Sequence, residues 1–372
     1  MAHTPGAEGE DGHLVFVKGA TLMAIPFDSA KLETRGTPVM VLPRLATIPE
    51  GSGHFDVADD GTIVYADPPT GDTTARTLLW VDRQGQERPL SPSLPVRPYA
   101  QPRISPDGTL VAVTINDQEN DLWVWQVAHQ APLRRLTSGP PMDFFAVWTP
   151  DSHRLIFGRP GGGLFWQAVD GTGRVEALNT EPGPAMLPSG MTPDGTRVLF
   201  SLGPRDVMAM TLDGRRVEPL VQTQFNERNG VVSPDGSWLA YESDSAQRFE
   251  IYVTPYPNVK GGTWPVSTAG GTRPLWSPNG QELFFVAPDG AIMAARVDSR
   301  GGVWRSGDPM KVIEGEYATG APASGRNYDV SEDGKLFLMV KQTAGSQAAA
   351  APQIQLVQHW ADELKRLVPA AR

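Results

Sequence analysis

A set of polar side chains stands at fixed distances ahead of a turn that recurs along the chain. Counting back four residues from the first residue of each turn gives His54, Gln101, Phe145, Pro188, Asn229, Arg273 and Asn327; counting back two gives Asp56, Arg103, Val147, Gly190, Val231, Leu275 and Asp329. Asp143, Glu227, Arg228 and Arg326 lie close by, just upstream of their turns. Positions two apart on an extended chain share a face, so each ring of equivalent residues should point the same way. Convergent polar groups over a central cavity make a binding site for a peptide, protein or small molecule, and His54, Gln101, Arg103, Asp143, Glu227, Arg228, Asn229, Arg273, Arg326 and Asn327 are its candidate contacts.

A second chemistry is open to the same residues. Asp56, Glu227, Asn229, Asn327 and Asp329 carry hard oxygen donors that could hold Ca²⁺, and His54 could act as general base beside the ion. That set would describe a metal-assisted hydrolase of esters, lactones or phosphotriesters. A water-filled channel without ligand would also be lined with polar groups, so the pattern alone leaves the choice open. The six histidines otherwise scatter, with no spacing that suggests zinc.

Other signatures are missing. The sequence holds no Gly-x-Ser-x-Gly, His-Glu-x-x-His, Walker loop, EF-hand loop or dinucleotide Gly-x-Gly-x-x-Gly after a strand. The run Gly161-Gly162-Gly163 reads as a hairpin loop. A chain without cysteine can form no disulfide, thiolate nucleophile or Cys-ligated metal centre, and this leaves the redox compartment open. The net charge of -10 disfavours nucleic acid and anionic lipid as partners. No stretch approaches the roughly 18 apolar residues needed to cross a bilayer, and the first residues lack the basic and apolar regions of a signal peptide. The expected setting is a bacterial cytoplasm or periplasm, and nothing in the sequence signals an oligomer, so a monomer is expected.

The elements that must position these side chains follow from the turn itself. It appears as Ser105-Pro106-Asp107-Gly108, Thr149-Pro150-Asp151-Ser152, Thr192-Pro193-Asp194-Gly195, Ser233-Pro234-Asp235-Gly236 and Ser277-Pro278-Asn279-Gly280, with looser copies at Ala58-Asp59-Asp60-Gly61 and Ser331-Glu332-Asp333-Gly334. Successive copies begin 47, 44, 43, 41, 44 and 54 residues apart, close to the roughly 40–45 expected of a four-stranded propeller blade. Proline presets φ, Asp accepts from amides just downstream, and Gly takes positive φ, so each copy is a tight reversal between strands. Alternating apolar runs follow each turn, as at 154–158 (RLIFG) and 238–242 (WLAYE), and a third strand comes after a polar loop, as at 121–127 (DLWVWQV) and 78–83 (LLWVDR).

An N-terminal unit without the turn brings the number to about eight. The expected fold is therefore all-β: one closed β-propeller of four-stranded blades spanning 1–372, eight blades preferred over seven, with a short C-terminal helix. The units fall at about 12–44, 52–93, 97–139, 140–181, 183–224, 225–271, 272–316 and 327–360, with a tail over 361–372. Closure should pair material from both ends of the chain and so remove open edges. Trp123, Trp125, Trp148, Trp166, Trp238 and Trp276 are expected to pack between blades. The polar loops 67–76, 116–121 and 243–248 are candidate rim contacts or solvated turns.

Phrases such as Gly19-Ala20-Thr21-Leu22-Met23-Ala24-Ile25-Pro26-Phe27-Asp28, Leu79-Trp80-Val81-Asp82-Arg83 and Gly270-Gly271-Thr272-Arg273-Pro274-Leu275-Trp276, with the blade turns, run nearly end to end. In these the chain resembles the TolB-like, WD40-like propellers appended to bacterial serine/threonine protein kinases. The resemblance implies a binding sensor or scaffold, or a gating domain of a larger enzyme. It does not imply kinase activity, because the His-Arg-Asp and Asp-Phe-Gly signatures are missing.

Overall fold

The computed structural model describes residues 2–4, 12–18, 21–42, 45–46, 53–58, 60–67, 75–116, 120–128, 132–139, 141–179, 183–203, 205–319, 325–343 and 354–368. The recurrent turn is built as its residues dictate. In the fourth full-length copy the Ser233 hydroxyl donates to Asp235 Oδ1 at 2.5 Å and accepts from the Trp238 amide at 3.0 Å. Asp235 Oδ1 also accepts from the Ser237 amide at 3.1 Å, and Gly236 takes φ 74°. Thr149 with Asp151, Thr192 with Asp194 and Ser331 with Asp333 repeat the hydroxyl-to-carboxylate bond at 2.5, 2.6 and 2.6 Å. Where Ser152 replaces the glycine it still adopts φ 61°, and its hydroxyl accepts from the Asp107 amide of another copy at 3.1 Å.

These turns join the strands into two compact units rather than the single domain expected over 1–372. One is Thr74–Thr343; the other combines Met1–Thr73 with Ala344–Arg372. The larger unit holds six antiparallel sheets, each opening with a short inner strand: β1 (Tyr99–Ile104), β2 (Phe144–Trp148), β3 (Met186–Met191), β4 (Glu227–Val232), β5 (Thr272–Trp276) and β6 (Tyr328–Val330). In each of the first five, three or more consecutive chain segments then pair outward in sequence order.

The sixth sheet departs from the expected units. Leu336–Gln342 pairs not with later residues but with Arg76–Asp82, in register from Leu336 opposite Asp82 to Gln342 opposite Arg76, and Glu87–Pro89 forms its edge. The segment at 78–83 is thus a third strand, as expected, but of a sheet begun near the other end of the chain. The expected units 52–93 and 327–360 therefore exchange halves.

Apolar side chains fill the spaces between successive sheets, as alternation on strands buried on both faces requires. Phe157 packs with Ala112 and Val124, Ile156 with Val198 and Phe200, Leu199 with Leu239, and Ala240 with Leu283 and Phe285. The sixth sheet packs on both the fifth and the first. Phe337 meets Phe284 edge-on at 5.1 Å between ring centres, while Leu338 and Val340 join Val111 and Val113. Trp125, Trp148, Trp238 and Trp276 are buried among these layers; Trp123 and Trp166 are half-buried. The indole N–H groups of Trp148 and Trp276 donate to Arg103 O and Val231 O, each on the preceding sheet.

The smaller unit has a five-stranded sheet, with Gly12–Lys18 and Thr21–Asp28 at its centre, and a three-stranded sheet in which Ile63–Ala66 lies between Phe55–Val57 and Ile354–Val357. Helix α1 (Trp360–Leu367) buries Trp360 and Leu364 with Val15, Leu22 and Ile63, and His13 Nε2 donates to Val368 O at 2.7 Å. No helix among the described residues is long and apolar enough to cross a membrane. Of the candidate rim loops, residues 68–74 and 117–119 lie outside the described residues.

The turn carboxylates set an acid limit. Hydroxyl donation from Thr149, Thr192 and Ser331, followed by amide bonds, holds Asp151, Asp194 and Asp333 below the usual 3.8. A carboxyl depressed on folding contributes stability above its unfolded value, and that contribution is lost as pH falls through the lower folded value. The melting temperature should therefore hold steady down to about pH 5 and fall below about pH 4. The triple variant Asp151→Asn, Asp194→Asn, Asp333→Asn should show a shallower fall in a melting series, because Asn279 already fills this position with the same bonds.

Candidate functional site

The inner strands carry the site, and their backbone explains its polar character. The ladder between each of β1–β5 and the next strand out slips at a bulge: between Ala100 and Arg103, Phe144 and Val147, Pro188 and Gly190, Arg228 and Val231, and Thr272 and Leu275. Four of the residues lying four before the turn sit in these bulges with left-handed backbone: Gln101 (φ 51°), Phe145 (57°), Asn229 (54°) and Arg273 (57°). Such a conformation costs a non-glycine residue about 1–2 kcal/mol, least for Asn. It also turns the residue's N–H out of its own ladder.

Each of those N–H groups finds an acceptor on a neighbouring sheet or on the residue leading into one. Gln101 donates to Asn327 Oδ1 at 2.6 Å, Phe145 to Gln101 Oε1 at 3.0 Å, Asn229 to Ser201 Oγ at 3.1 Å and Arg273 to Glu242 Oε2 at 2.5 Å. Asp329 Oδ2 does the same for the Ile104 amide at 2.8 Å. Gln101, Asn327 and Asp329, read from the sequence as ligand contacts or metal donors, therefore have oxygens engaged in joining sheets.

The other candidates divide. Asp143 is fully buried and accepts from Arg159 Nε at 2.6 Å; Glu227 accepts from the hydroxyl and amide of Thr223. Arg228 donates from Nε to Glu242 and lies 4.0 Å over the Phe249 ring. His54 and Asp56 belong to the smaller unit, where both are exposed and Asp56 Oδ1 accepts from the Val57 amide. Among the described residues no three His, Asp or Glu side chains gather as a cage for an ion.

What does converge is a very small cavity, about 10 Å³ or room for about one water, at the inner strands of the larger unit. Arg103, Arg273 and Arg326 line it with Ser189, Asn229 and Val231. Arg103 Nη1 donates to Pro102 O and Arg326 O at 2.8 Å, yet its buried Nε has no acceptor. Burial, reinforced by the Arg326 charge and opposed by Asp329, pulls the Arg103 guanidinium down to about 9. Arg326 donates from Nε to Tyr328 O at 3.0 Å and from Nη2 to Asp329 Oδ1 at 3.3 Å. Burial also lowers Arg273, against the opposing pull of Glu242, and the Tyr328 hydroxyl donates to Arg273 O at 2.9 Å.

Two participants escape the sequence rings. Ser189 lies on the cavity wall and donates to Gly230 O at 2.7 Å, so its oxygen is not poised as a nucleophile. Glu242, fully buried, accepts both from the Arg228 side chain and from the Arg273 backbone. Its signal is a lone carboxylate directly after the apolar and aromatic run Trp238–Tyr241. The cavity so formed is narrow and lined chiefly by guanidinium, amide and apolar groups.

No protein-family model matches the chain. Its structure is similar to a TolB structure from Agrobacterium tumefaciens, with 18% identity over 73% of this chain and 99% of that one and a TM-score of 0.54. It is also similar to TolB from Acinetobacter baumannii, with 15% identity over 90% of this chain and 80% of that one and a TM-score of 0.53. The fold is the TolB-like β-propeller fold that the repeats imply. The kinase-appended setting of the resemblance has no counterpart in these matches.

The link from Asn327 through Gln101 to Phe145 gives a stability test. Asn327→Ala leaves the Gln101 N–H without its acceptor, at about 1–3 kcal/mol, and Gln101→Ala does the same to Phe145. Urea denaturation should show each loss, and the double variant should cost less than their sum, because the two bonds share one residue.

Proposed function

We propose that this chain is a binding platform whose ligand, a peptide, protein segment or small molecule, sits at the mouth of the central cavity among the inner strands. The observation that carries this reading is the cavity itself, where side chains from β1, β3, β4 and β5 and from the residues just before β6 converge on one small space. In the same reading the six sheets of Thr74–Thr343 form one closed ring of six blades. The packing of the sixth sheet on both the fifth and the first, and the bonds from Asn327 and Asp329 to β1, support it. Six replaces eight because the expected unit 12–44 lies in the smaller body, and the units 52–93 and 327–360 together give one sheet to each body.

Binding is favoured over hydrolysis by the chemistry at the wall. Among the described residues the cavity is lined by guanidinium, amide, hydroxyl and apolar groups without a histidine or carboxylate to act as base, and the candidate metal donors Glu227, Asn327 and Asp329 already accept hydrogen bonds.

A panel of peptides and small molecules screened by calorimetry tests the reading. Asn229→Gly is the informative variant, because glycine keeps the left-handed backbone and removes the side chain from the wall. A ligand that binds with one-to-one stoichiometry should lose about tenfold or more in affinity in this variant, the size of one lost polar contact. Chelator-sensitive turnover of esters, lactones or phosphotriesters that disappears in Asn229→Gly would overturn the platform in favour of the hydrolase.

A further inference from the structure

We propose that the open groove between the turns of the fourth and fifth sheets of the larger unit is a second site, one that binds a neutral oligosaccharide. It lies at the turn end of those sheets and shares no residue with the inner-strand cavity, so it stands independently of the platform reading.

The groove has a volume of about 980 Å³, at the upper end of what small-molecule sites enclose. It reaches from Ser233 and Asp235 in one turn to the ends of Ile292–Asp298 and Arg305–Ser306 in the fifth sheet. Its floor is aromatic. Trp238 and Trp276 line it while staying buried, and Trp304 packs against both, with ring centres 5.2 and 5.9 Å apart. A floor already fixed by packing loses little freedom when a ligand settles on it.

The charges on the wall cancel. Asp235, Glu282 and Asp298 line the groove with Arg296 and Arg305, and Arg83 holds the two Glu282 oxygens at 2.9 and 2.5 Å, which sets three carboxylates against three guanidiniums. In the ladders Arg296 stands opposite Glu282 and Arg305 opposite Asp298, so the two signs are interleaved. A polyanion would meet the carboxylates and a polycation the guanidiniums, and neither gains from a net field.

What the wall offers is a mixture of spare donors and acceptors. The side chains of Arg296, Arg305 and Gln281 have no hydrogen-bond partner among the described residues. Asn279 spends its Oδ1 on the turn and keeps its Nδ2, and Asp235 spends Oδ1 and keeps Oδ2. A hydroxyl both donates and accepts, so a run of sugar hydroxyls matches such a wall, while the C–H faces of the rings cover what the indoles expose. Peptide recognition leans instead on apolar pockets for anchoring side chains, and Val297 is the only aliphatic side chain among the described residues of this wall.

The test uses the whole chain on an array of neutral linear oligosaccharides of glucose, mannose, galactose and N-acetylglucosamine, with trigalacturonate as the charged counterpart and a capped Gly-Ser-Gly-Ser-Gly peptide as a polar control. At least one neutral oligosaccharide should bind with one-to-one stoichiometry in calorimetry and change the tryptophan emission. Gln281→Ala and Arg305→Ala, both at exposed positions, should each lower its affinity about tenfold at an unchanged melting temperature. Asn279→Asp should do the same, because Asp235 shows that Asp keeps the turn while the substitution removes the Nδ2 donor and adds a carboxylate.

The proposal is overturned if no neutral oligosaccharide binds, if trigalacturonate or the peptide binds more tightly than every neutral one, or if all three variants bind as the wild type does. Sugar binding that falls in Asn229→Gly and in none of the three belongs to the inner-strand cavity, which removes the groove and leaves the platform standing.

Discussion

The larger unit depends on one recurrent constraint: a backbone N–H turned out of its ladder must be met by a side chain of the neighbouring sheet. A left-handed residue in the inner strand makes the bulge, and the bulge exposes its amide. An unsatisfied buried amide is not tolerated, so the sheet before it must supply an oxygen at that height. Asn327, Gln101, Ser201 and Glu242 are those oxygens. Together with the apolar layers, they fix how far each sheet is offset from the next, and thereby where Arg103, Asn229 and Arg273 stand around the cavity.

The same constraint explains which parts of the sequence could be read. Turn chemistry is local, so the reversals and a strand beside them such as Arg154–Gly158 coincide with their expected limits. The positions four before each turn were legible as a ring. Their meaning was not, because amide side chains suit left-handed backbone and ligand contact equally well, and composition cannot separate the two uses.

What was not legible depends on pairing across the chain. A strand such as Arg76–Asp82 carries no mark of which neighbour it will take, since its apolar faces would fit either its own hairpin or Leu336–Gln342. The bounds 52–93 and 327–360 follow from assuming the nearer partner. Glu242 and Ser189 were missed for a related reason: each acts on a residue more than one strand away, through a bond that no spacing rule encodes.

The sixth sheet has a mechanical consequence. Arg76 lies opposite Gln342 and Asp82 opposite Leu336, so the chain enters one strand and leaves the other at the same end of the ladder. Tension applied through those two chain directions would load a single pair of hydrogen bonds at a time, peeling the strands apart rather than shearing all seven pairs together. Ile63 opposite Val357 and Ala66 opposite Ile354 repeat this arrangement in the smaller unit. Both joins thus yield to a pull along the chain one pair at a time, whatever collective opening would cost them.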